Sequence, residues 1–373
     1  MKEFIPVATR FIELPRDFEM KNGGVLHGAR IAYEAFGQLN AERNNVILIL
    51  TGLSPDAHAT AHQENTAPGW WKNMLGPGKP IDTDHWYVIC VNSLGSCKGS
   101  TGPASLNPNT GKPYRLEFPD LSIEDIADAA AFTVRALGFA HLACVIGLSM
   151  GGMTALSFIT RHPDLTRNHI NISGAAQALP FSVALRSLQR EAIRFDPNWN
   201  QGNYDEAHYP LHGMMAARKL GMLTYRSAME WNSRFSSTCF ASDSRKDRTR
   251  FGHEFEVETY LDHHAQRFLR SFDPNSYLYL SRCMDLFNLG ASCDGSIDKA
   301  LSRLCLDNAL VMGVQTDLLF PIQQQQKIAE GLSTQGRNVR FYALESPEGH
   351  DAFLVDADRF GPPITNFLAA LSC

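Results

Sequence analysis

The sequence predicts an α/β fold: a mainly parallel sheet with helices on both faces and one inserted helical lid. Three observations support this prediction. Short apolar runs rich in Val and Ile alternate with amphipathic segments, as they do in parallel sheets. A long stretch of helical patterning interrupts the alternation once. A glycine-flanked serine also stands where one apolar run passes into a helix-forming segment. With 373 residues and 44% hydrophobic content, the chain can form one large domain with an insertion, or two domains.

Six apolar runs read as buried strands, and the segments between them read as helices. The predicted strands are VILIL (46–50), WYVICV (86–91), HLACVIG (141–147), HINIS (169–173), ALVMGV (309–314) and VRFYAL (339–344). The segment 122–138 is predicted to be a helix, because Ser122 and Asp125 have the spacing of a capping box and Gly138 is a stop signal.

The pattern changes between about 175 and 295. Segments such as FSVALRSLQREAIR and HGMMAARKLGMLTYRS indicate helices rather than strands. This insertion separates two strands of the predicted sheet, a position where it would not break the sheet. We therefore predict a core domain formed by residues 1–174 and 296–373, and a helical lid domain formed by residues 175–295.

Composition excludes several classes of function. The formal net charge is −5 and charges of both signs are spread along the chain, so a nucleic-acid partner is not expected. The chain has neither an opening apolar run of signal-peptide type nor an apolar stretch near 18 residues. We therefore expect no membrane association and a cytoplasmic location. Eight cysteines without a CxxC pair predict reduced thiols.

His58 and His62 are spaced so that they could bind a metal from one helix face. Pro55 precedes this segment, however, and no third ligand is evident in the sequence. We therefore predict that the protein has no metal site.

The segment GLSMGG (147–152) follows a predicted strand and begins a predicted helix. In that context the G-x-S-x-G pattern has a mechanism, because Gly147 and Gly151 permit a sharp turn that presents Ser149 above the sheet. The backbone amide of Met150, at the start of the helix, can then stabilise an oxyanion. We predict that Ser149 is a nucleophile.

A serine nucleophile needs a histidine base that is held by a carboxylate, here in the chain order Ser, Asp, His. Asp317 follows one predicted strand and His350 follows the last one, so both lie at the same sheet edge as Ser149. The second oxyanion amide is expected from the loop TGLSPDAH (51–58), which follows an early strand, and we assign it to Leu53.

Several long blocks of the sequence together resemble one known family. They are GWWKNMLGPGKPIDTDHWYVICVNSLGSCKGSTGPASLNP (69–108), GLSMGGM (147–153), ARKLGMLTYRS (217–227), TDLLFP (316–321) and EGHDAF (348–353). In these blocks the chain resembles the homoserine O-acyltransferase family, which has the α/β-hydrolase fold. The resemblance implies acyl transfer from an acyl-CoA co-substrate to an amino acid hydroxyl by a ping-pong route. It also implies a helical lid that forms a homodimer contact, and it implies no further cofactor.

The resemblance also implies roles for individual residues. Ser149 is the acyl acceptor, His350 the general base and acid, and Asp317 the group that orients the histidine. Arg218 matches the arginine that binds the carboxylate of the amino acid, and Asp351 matches the position that holds its ammonium group.

Two features depart from the acetyltransferases of this family. The loop formed by Gly52, Leu53, Ser54 and Pro55 is longer than their T-G-D-A-H type loop by three residues, and Arg186 stands where they tend to have a smaller polar residue. Both features resemble the branch that transfers succinyl from succinyl-CoA to L-serine for cysteine synthesis. The alternatives are a homoserine O-succinyl- or O-acetyltransferase, a lid-covered serine esterase and a non-catalytic binding scaffold.

Overall fold

The computed structural model describes residues 5–240, 251–334 and 336–371 of the chain. The strands in these residues are β1 (Arg10–Glu13), β2 (Asp17–Glu19), β3 (Val25–His27), β4 (Arg30–Phe36), β5 (Val46–Leu50), β6 (Leu75–Gly76), β7 (Ile81–Asp82), β8 (Tyr87–Val91), β9 (Cys144–Leu148), β10 (Asn168–Ile172), β11 (Asn308–Val314) and β12 (Asn338–Leu344). Eight of them form the central sheet, in the order β1-β4-β8-β5-β9-β10-β11-β12.

The six predicted strands are confirmed as β5, β8, β9, β10, β11 and β12, and they form the parallel part of the sheet. The sequence did not predict β1 and β4, which extend one edge in antiparallel orientation. β4 was missed because its sequence RIAYEAF includes a glutamate, Glu34, which is buried despite its charge. The hairpin of β2 with β3 and the short pair of β6 with β7 were missed as well.

Helices cover both faces of the sheet. They are α1 (Ile123–Ala136), α2 (Met150–Arg161), α3 (Pro180–Phe195), α4 (Leu211–Tyr225), α5 (Ala228–Arg234), α6 (Glu256–Phe268), α7 (Pro274–Leu286), α8 (Ile297–Ser302), α9 (Ile322–Ser333), α10 (Ala352–Val355) and α11 (Ala357–Ala369), with short 3₁₀ turns between some of them. The predicted capping box of α1 is confirmed: the side chains of Ser122 and Asp125 each accept a hydrogen bond from the backbone amide of the other.

The hydrophobic core has two parts, one on each face of the sheet. Alternate residues of β5 divide between them: Leu48 belongs to the part that includes residues of α1, α2 and α9, whereas Ile49 belongs to the part that includes residues of α11. All five residues of β5 are buried, as expected for a strand that is covered on both sides. The carboxyl ends of the parallel strands are thereby held in one rigid row, which carries the candidate site.

Helices α3 to α8 all lie between β10 and β11, where the sequence predicted a helical insertion. Within the insertion, α3 packs against both α4 and α7. The side chain of Asp273 caps the start of α7 and accepts a hydrogen bond of 2.5 Å from the Tyr204 hydroxyl. The division into a core domain and a lid domain, with boundaries at 174/175 and 295/296, stays a prediction.

Two further observations concern the described part of the chain. Its seven cysteines are free, and Cys90 and Cys144 are buried in strands β8 and β9. None of its helices combines the length and the apolar character that spanning a bilayer requires. The eighth cysteine, Cys373, lies outside the described residues.

Candidate active site

Ser149 occupies a strained turn between β9 and α2. Its backbone has φ 56° and ψ −118°, a conformation that non-glycine residues rarely adopt. The glycines on either side make this turn possible. A Cβ on Gly151 would lie 1.9 Å from the Leu50 carbonyl oxygen, and one on Gly147 would lie 2.3 Å from the Gly151 carbonyl oxygen. The G-x-S-x-G pattern is therefore a packing requirement that fixes where the serine hydroxyl stands.

His350 connects Ser149 to Asp317. Its Nε2 lies 2.8 Å from Ser149 Oγ, and its Nδ1 lies 2.7 Å from Asp317 Oδ2. The other oxygen of Asp317 accepts hydrogen bonds of 2.8 Å from the backbone amides of Leu319 and Phe320. A carboxylate held in this way accepts a hydrogen bond from the N–H at Nδ1, which leaves the lone pair of Nε2 free to take the serine proton. The three residues that the sequence selected are thus within hydrogen-bonding reach of one another.

Aromatic rings hold the imidazole of His350 in place. Phe320 stacks on it with a centroid distance of 5.0 Å, and Phe353 contacts its plane edge-on at 5.5 Å. Tyr225 lies on a third side at 6.3 Å. Only 4% of His350 is exposed. These rings exclude water from the histidine and limit the orientations that it can adopt.

The groups proposed for the oxyanion site lie beside Ser149. Met150 is the first residue of α2, where backbone amides lack partners within the helix. The loop after β5 approaches from the other side: a Cβ on Gly52 would lie 3.9 Å from the Cβ of Ser149. Leu53 follows Gly52 and lines, together with Ser149, the cavity described below. The assignment of the Met150 and Leu53 amides to an oxyanion stays a prediction.

A cavity of about 170 Å³ opens above Ser149. This is smaller than the 300–1,000 Å³ of sites for drug-sized ligands, so it suits short acyl chains and small amino acids rather than a whole coenzyme A. Its lining includes the predicted residues Gly52, Leu53, Ser54, Pro55, Ser149, Arg186, Arg218, His350 and Asp351. Asp317, which is bonded to His350 Nδ1, and Met150, the first residue of α2, are not among the lining residues.

Arg186 contributes to the top of this cavity from α3 and is only 4% exposed. Arg186 therefore does not lie on the solvent-exposed side of α3. Its Nε donates a hydrogen bond of 2.5 Å to Asp285 on α7, whereas its Nη1 is buried and has no hydrogen-bond partner. Arg190, one turn further along α3, donates to the other oxygen of Asp285 at 2.6 Å. Two guanidinium groups thus share one carboxylate.

Arg218 on α4 also lines the cavity and has an unpartnered donor. Its guanidinium lies over the rings of Phe268, at 4.6 Å, and Tyr225, at 5.7 Å. Its buried Nε has no hydrogen-bond partner. Stacking on aromatic faces orients the group without using its N–H donors, so they remain free for a ligand.

Asp351, the residue after His350, lines the cavity, and its carboxylate already has a cationic partner. Its Oδ2 lies 3.3 Å from Nε of Arg226, which also pairs with Glu348. Burial raises the pKa of Asp351 above its ordinary value, although the neighbouring charges of Arg226, His350 and Arg218 act in the opposite direction. A second cationic partner, such as an ammonium group, would further stabilise the ionised form of this buried carboxylate.

His58 and His62 do not lie on a helix, contrary to the arrangement considered from the sequence. A third polar group is also present: Glu34 Oε2 lies 2.8 Å from His58 Nδ1 and 3.1 Å from His62 Nε2. Two imidazoles and a carboxylate form a donor set that could hold a metal such as zinc. The separations are nevertheless those of hydrogen bonds, which a proton satisfies. The expectation of no metal site stays a prediction.

Several residues of the cavity were not found from the sequence. Asp285, Gln189 and Tyr277 line it or support it from segments that carry no recognisable motif. Trp70 also lines it; it lies in the block 69–108 but was not selected as a site residue. One signal was available. Arg186 and its neighbour one turn later share a helix face, and two arginines on a face that another helix covers require a carboxylate. The sequence does not reveal which of its acidic residues supplies it.

Comparison with known proteins agrees with this geometry. Residues 45–357 match the model of a family described as having the alpha/beta hydrolase fold. The chain is 64% identical to an L-serine/homoserine O-acetyltransferase of Streptomyces lavendulae, and 62% identical to a serine O-succinyltransferase of Stenotrophomonas maltophilia (strain K279a), in each case over 100% of both chains. The crystal structure of a homoserine O-acetyltransferase from Bacillus anthracis superposes with a TM-score of 0.86 at 28% identity, covering 96% of this chain and 97% of the other.

Proposed function

Because this chain belongs to the α/β-hydrolase fold family, and within it to the serine and homoserine O-acyltransferases, we propose that it moves a succinyl group from succinyl-CoA to the hydroxyl of L-serine. The product is O-succinyl-L-serine, an activated serine for cysteine biosynthesis. The single observation that carries the catalytic part is the hydrogen-bonded row of Ser149, His350 and Asp317 under a small cavity.

In the first half-reaction, Ser149 Oγ attacks the thioester carbonyl while His350 Nε2 takes the hydroxyl proton. Asp317 holds the imidazole and stabilises its positive charge. The amides of Met150 and Leu53 stabilise the oxyanion that forms on the carbonyl oxygen. The intermediate then collapses, the bond from carbon to sulfur breaks, and His350 returns the proton to the departing coenzyme A thiolate. The acyl group remains as an ester on Ser149.

In the second half-reaction, the hydroxyl of the acceptor serine takes the place of the thiol. His350 removes its proton, and the new oxygen attacks the ester carbonyl through the same oxyanion site. Collapse forms the product ester and returns the proton to Ser149 Oγ, which restores the starting state. One nucleophile and one base thus serve both halves, as a ping-pong sequence requires.

The choice of succinyl over acetyl rests on Arg186. The two similar relatives are named for different acyl groups, so their names do not decide between them. The cavity supplies an argument: Arg186 and Arg190 carry two positive charges and share the single negative charge of Asp285. In addition, Nη1 of Arg186 is buried without a hydrogen-bond acceptor. A distal carboxylate on the acyl chain would supply both the acceptor and the missing charge.

The amino acid binds by its two charged groups in this proposal. Arg218 offers unused donors for the carboxylate, and Asp351 offers its second side to the ammonium. With both ends fixed, the length of the side chain decides how far the hydroxyl reaches towards the acyl carbon. The loop from Gly52 to Pro55 lines the same cavity and limits that reach, which favours serine over the longer homoserine.

The test is a product analysis in which acyl donor and acceptor are varied independently. Succinyl-CoA and acetyl-CoA are each incubated with serine, with homoserine and with neither, and the products are identified by mass. We expect O-succinylserine as the main product. With succinyl-CoA alone, the intact protein should gain one succinyl group at Ser149. Rapid hydrolysis without an acceptor would identify an esterase, and a preference for homoserine would move the reaction to methionine precursors.

We also propose a homodimer that forms through the insertion. Phe181, Leu188 and Phe195 are 59%, 52% and 72% exposed. They recur every seven residues along α3, so they form one apolar stripe on the outer face of this helix. A second copy would cover the stripe. Sedimentation of the wild-type chain and of Leu188→Glu tests this: the variant should be a monomer.

We propose a cytoplasmic location as well, because coenzyme A thioesters are used there. Cell fractionation tests this location.

A further inference from the structure

The loop that follows β5 has two halves with different bonding. Gly52, Leu53 and Ser54, which line the cavity, make no hydrogen bonds to other described residues. The second half is held firmly: the Pro55 carbonyl accepts from the Asn92 amide at 3.1 Å. The position of the Leu53 amide near Ser149 therefore depends on how the second half of the loop is fixed.

His58 ends this second half and is the most firmly held of its side chains. Its Nδ1 lies 2.8 Å from Glu34 Oε2, and its Nε2 lies 2.8 Å from the Ala67 carbonyl oxygen. Its own backbone amide donates to Asp56 Oδ1 at 3.0 Å. Asp56 in turn accepts, through its backbone carbonyl, a bond of 3.1 Å from the indole of Trp70, which lines the cavity. The side chain of His58 thus connects the loop to β4.

Both ring nitrogens of His58 lie 2.8 Å from groups that accept, the ionised carboxylate of Glu34 and the carbonyl of Ala67, whereas the Asn65 side-chain nitrogen is farther from Nδ1, at 3.4 Å. An imidazole can donate from both nitrogens only when it is protonated. His58 is 5% exposed and Glu34 is 1% exposed, so the pair is shielded from water. Burial by itself lowers the pKa of His58, but the hydrogen bonds to Ala67 and Glu34 outweigh it and raise the pKa above its ordinary value. The other titratable groups that face the imidazole are Asp56 and His62.

We propose that the buried imidazolium–carboxylate pair of His58 and Glu34 is a positioning device, which holds the loop so that the Leu53 amide points at the oxyanion. The pair does not touch the reacting atoms. It acts through the backbone, because the imidazolium fastens the end of the loop to β4 on one side and to Ala67 on the other. A neutral side chain could make only one of these two bonds as a donor. This inference rests on the proposed acyl transfer and adds a requirement to it.

Two variants test the proposal with a measurement of Ser149 acylation at saturating acyl-CoA, which is independent of the acceptor. In His58→Gln the amide reaches one of the two acceptors but not both, and we expect acylation to slow by about 10- to 100-fold, as for a misplaced or weakened oxyanion donor. The concentration of acyl-CoA that gives half the maximal rate should change little. Thermal melting establishes that the variant is folded.

Glu34→Gln gives a signature that a merely structural role would not give. The variant keeps the shape of the side chain but lacks the charge that raises the pKa of His58. His58 should then lose its proton as the pH rises through its lowered pKa. The rate of the variant relative to the wild type should therefore be near one in acid and fall with rising pH. His62→Ala is the matched control, since His62 contacts the same carboxylate from outside the loop, and its ratio should stay flat.

Three results would overturn the proposal. Acylation of His58→Gln at the wild-type rate would show that the loop does not need the pair. If the rate of Glu34→Gln relative to the wild type were low at every pH, the charge of the pair would have no role and the two side chains would contribute only packing. Loss of wild-type acylation after treatment with a chelator would assign the cluster to a metal. In each case an acylated wild-type protein would leave the proposed function intact, whereas a wild-type protein that no acyl-CoA acylates would contradict the proposed function itself.

Discussion

The floor and the roof of the cavity differ in whether their polar groups have hydrogen-bond partners. The floor consists of Ser149, His350 and Asp317, whose side chains bond to one another and leave nothing unsatisfied between them. The roof consists of Arg186 and Arg218, which each retain a buried nitrogen without a partner. Buried donors are rarely left unpaired, because each costs free energy of about 1–3 kcal/mol.

This difference separates chemistry from selection. The floor is complete before any ligand arrives, so its chemistry is the same for every acyl group that reaches Ser149. The roof is incomplete, and only ligands with carboxylates in the right places complete it. Changes to the floor should therefore lower all activities alike, whereas changes to the roof should alter which substrate is preferred.

The largest effect is expected from Ser149→Ala. Removal of the nucleophile should lower the rate by roughly 10⁴- to 10⁶-fold with every donor and every acceptor, because triad residues act as a unit. The measurement is kcat with both acyl-CoAs, together with intact mass to show that no acyl-protein forms. Substantial remaining turnover with any pair of substrates would contradict the assignment of the floor.

The wall between floor and roof gives the next effect. Deletion of Leu53 to Pro55 shortens the loop and places the Asp56 amide directly after Gly52, where the Leu53 amide stood. Rates with both acceptors should fall because the oxyanion donor changes, but the wider cavity should let homoserine place its hydroxyl at the acyl carbon. One methylene is worth about 1–3 kcal/mol, so the ratio of kcat/KM for serine to that for homoserine should fall by roughly 10- to 200-fold. An unchanged ratio in a folded, active variant would mean that the loop is only a surface bulge.

Arg186→Asn tests the roof. The loss of a partly buried, charge-assisted contact of about 1.5–3 kcal/mol should reduce the preference for succinyl-CoA over acetyl-CoA by roughly 10- to 100-fold. Arg190→Asn is the matched control: it removes a charge from the same Asp285 but does not line the cavity. Its effect on the preference should be clearly smaller. An equal effect, or none at Arg186, would contradict the role of the unpartnered nitrogen.

The smallest effect concerns Asp351 and pH. Its pKa is raised by burial, so as the pH falls its carboxylate is protonated earlier than that of an ordinary aspartate. Protonation removes the charge that holds the ammonium, and kcat/KM for serine should fall by about tenfold relative to kcat/KM for acyl-CoA. The quotient of the two values compares acceptor binding with acyl-CoA binding in the same protein. In Asp351→Asn the quotient should be low and independent of pH, and a wild-type quotient that does not change would remove Asp351 from acceptor binding.

The floor was predictable from the sequence because its parts obey local rules. Each predicted parallel strand is a continuous apolar run, and the ends of such strands meet at one edge of the sheet. Ser149, Asp317 and His350 follow three of these runs, so knowing the strands was enough to bring them together. The antiparallel strand β4 was missed because Glu34 interrupts its pattern, and the anchor of His58 was missed with it.

The roof was predictable only in part. Arg186 and Arg218 were selected through resemblance to a family, and nothing in their local sequence distinguishes them from surface arginines. Their partners come from distant segments: Asp285 lies 99 positions after Arg186. Pairing over such separations depends on how helices pack, which hydrophobic periodicity does not specify.

The insertion between β10 and β11 has a consequence for the order in which the enzyme is made. Ser149 is synthesised before the insertion, whereas Asp317 and His350 are synthesised after it, and β10 pairs directly with β11 in the finished sheet. A chain that is still growing on the ribosome can fold its first strands and helices. Its serine nevertheless has no base until the last two strands have paired. A nascent or truncated chain is therefore expected to leave acyl-CoA intact, so that acyl transfer begins only when the cavity that selects the acceptor is closed.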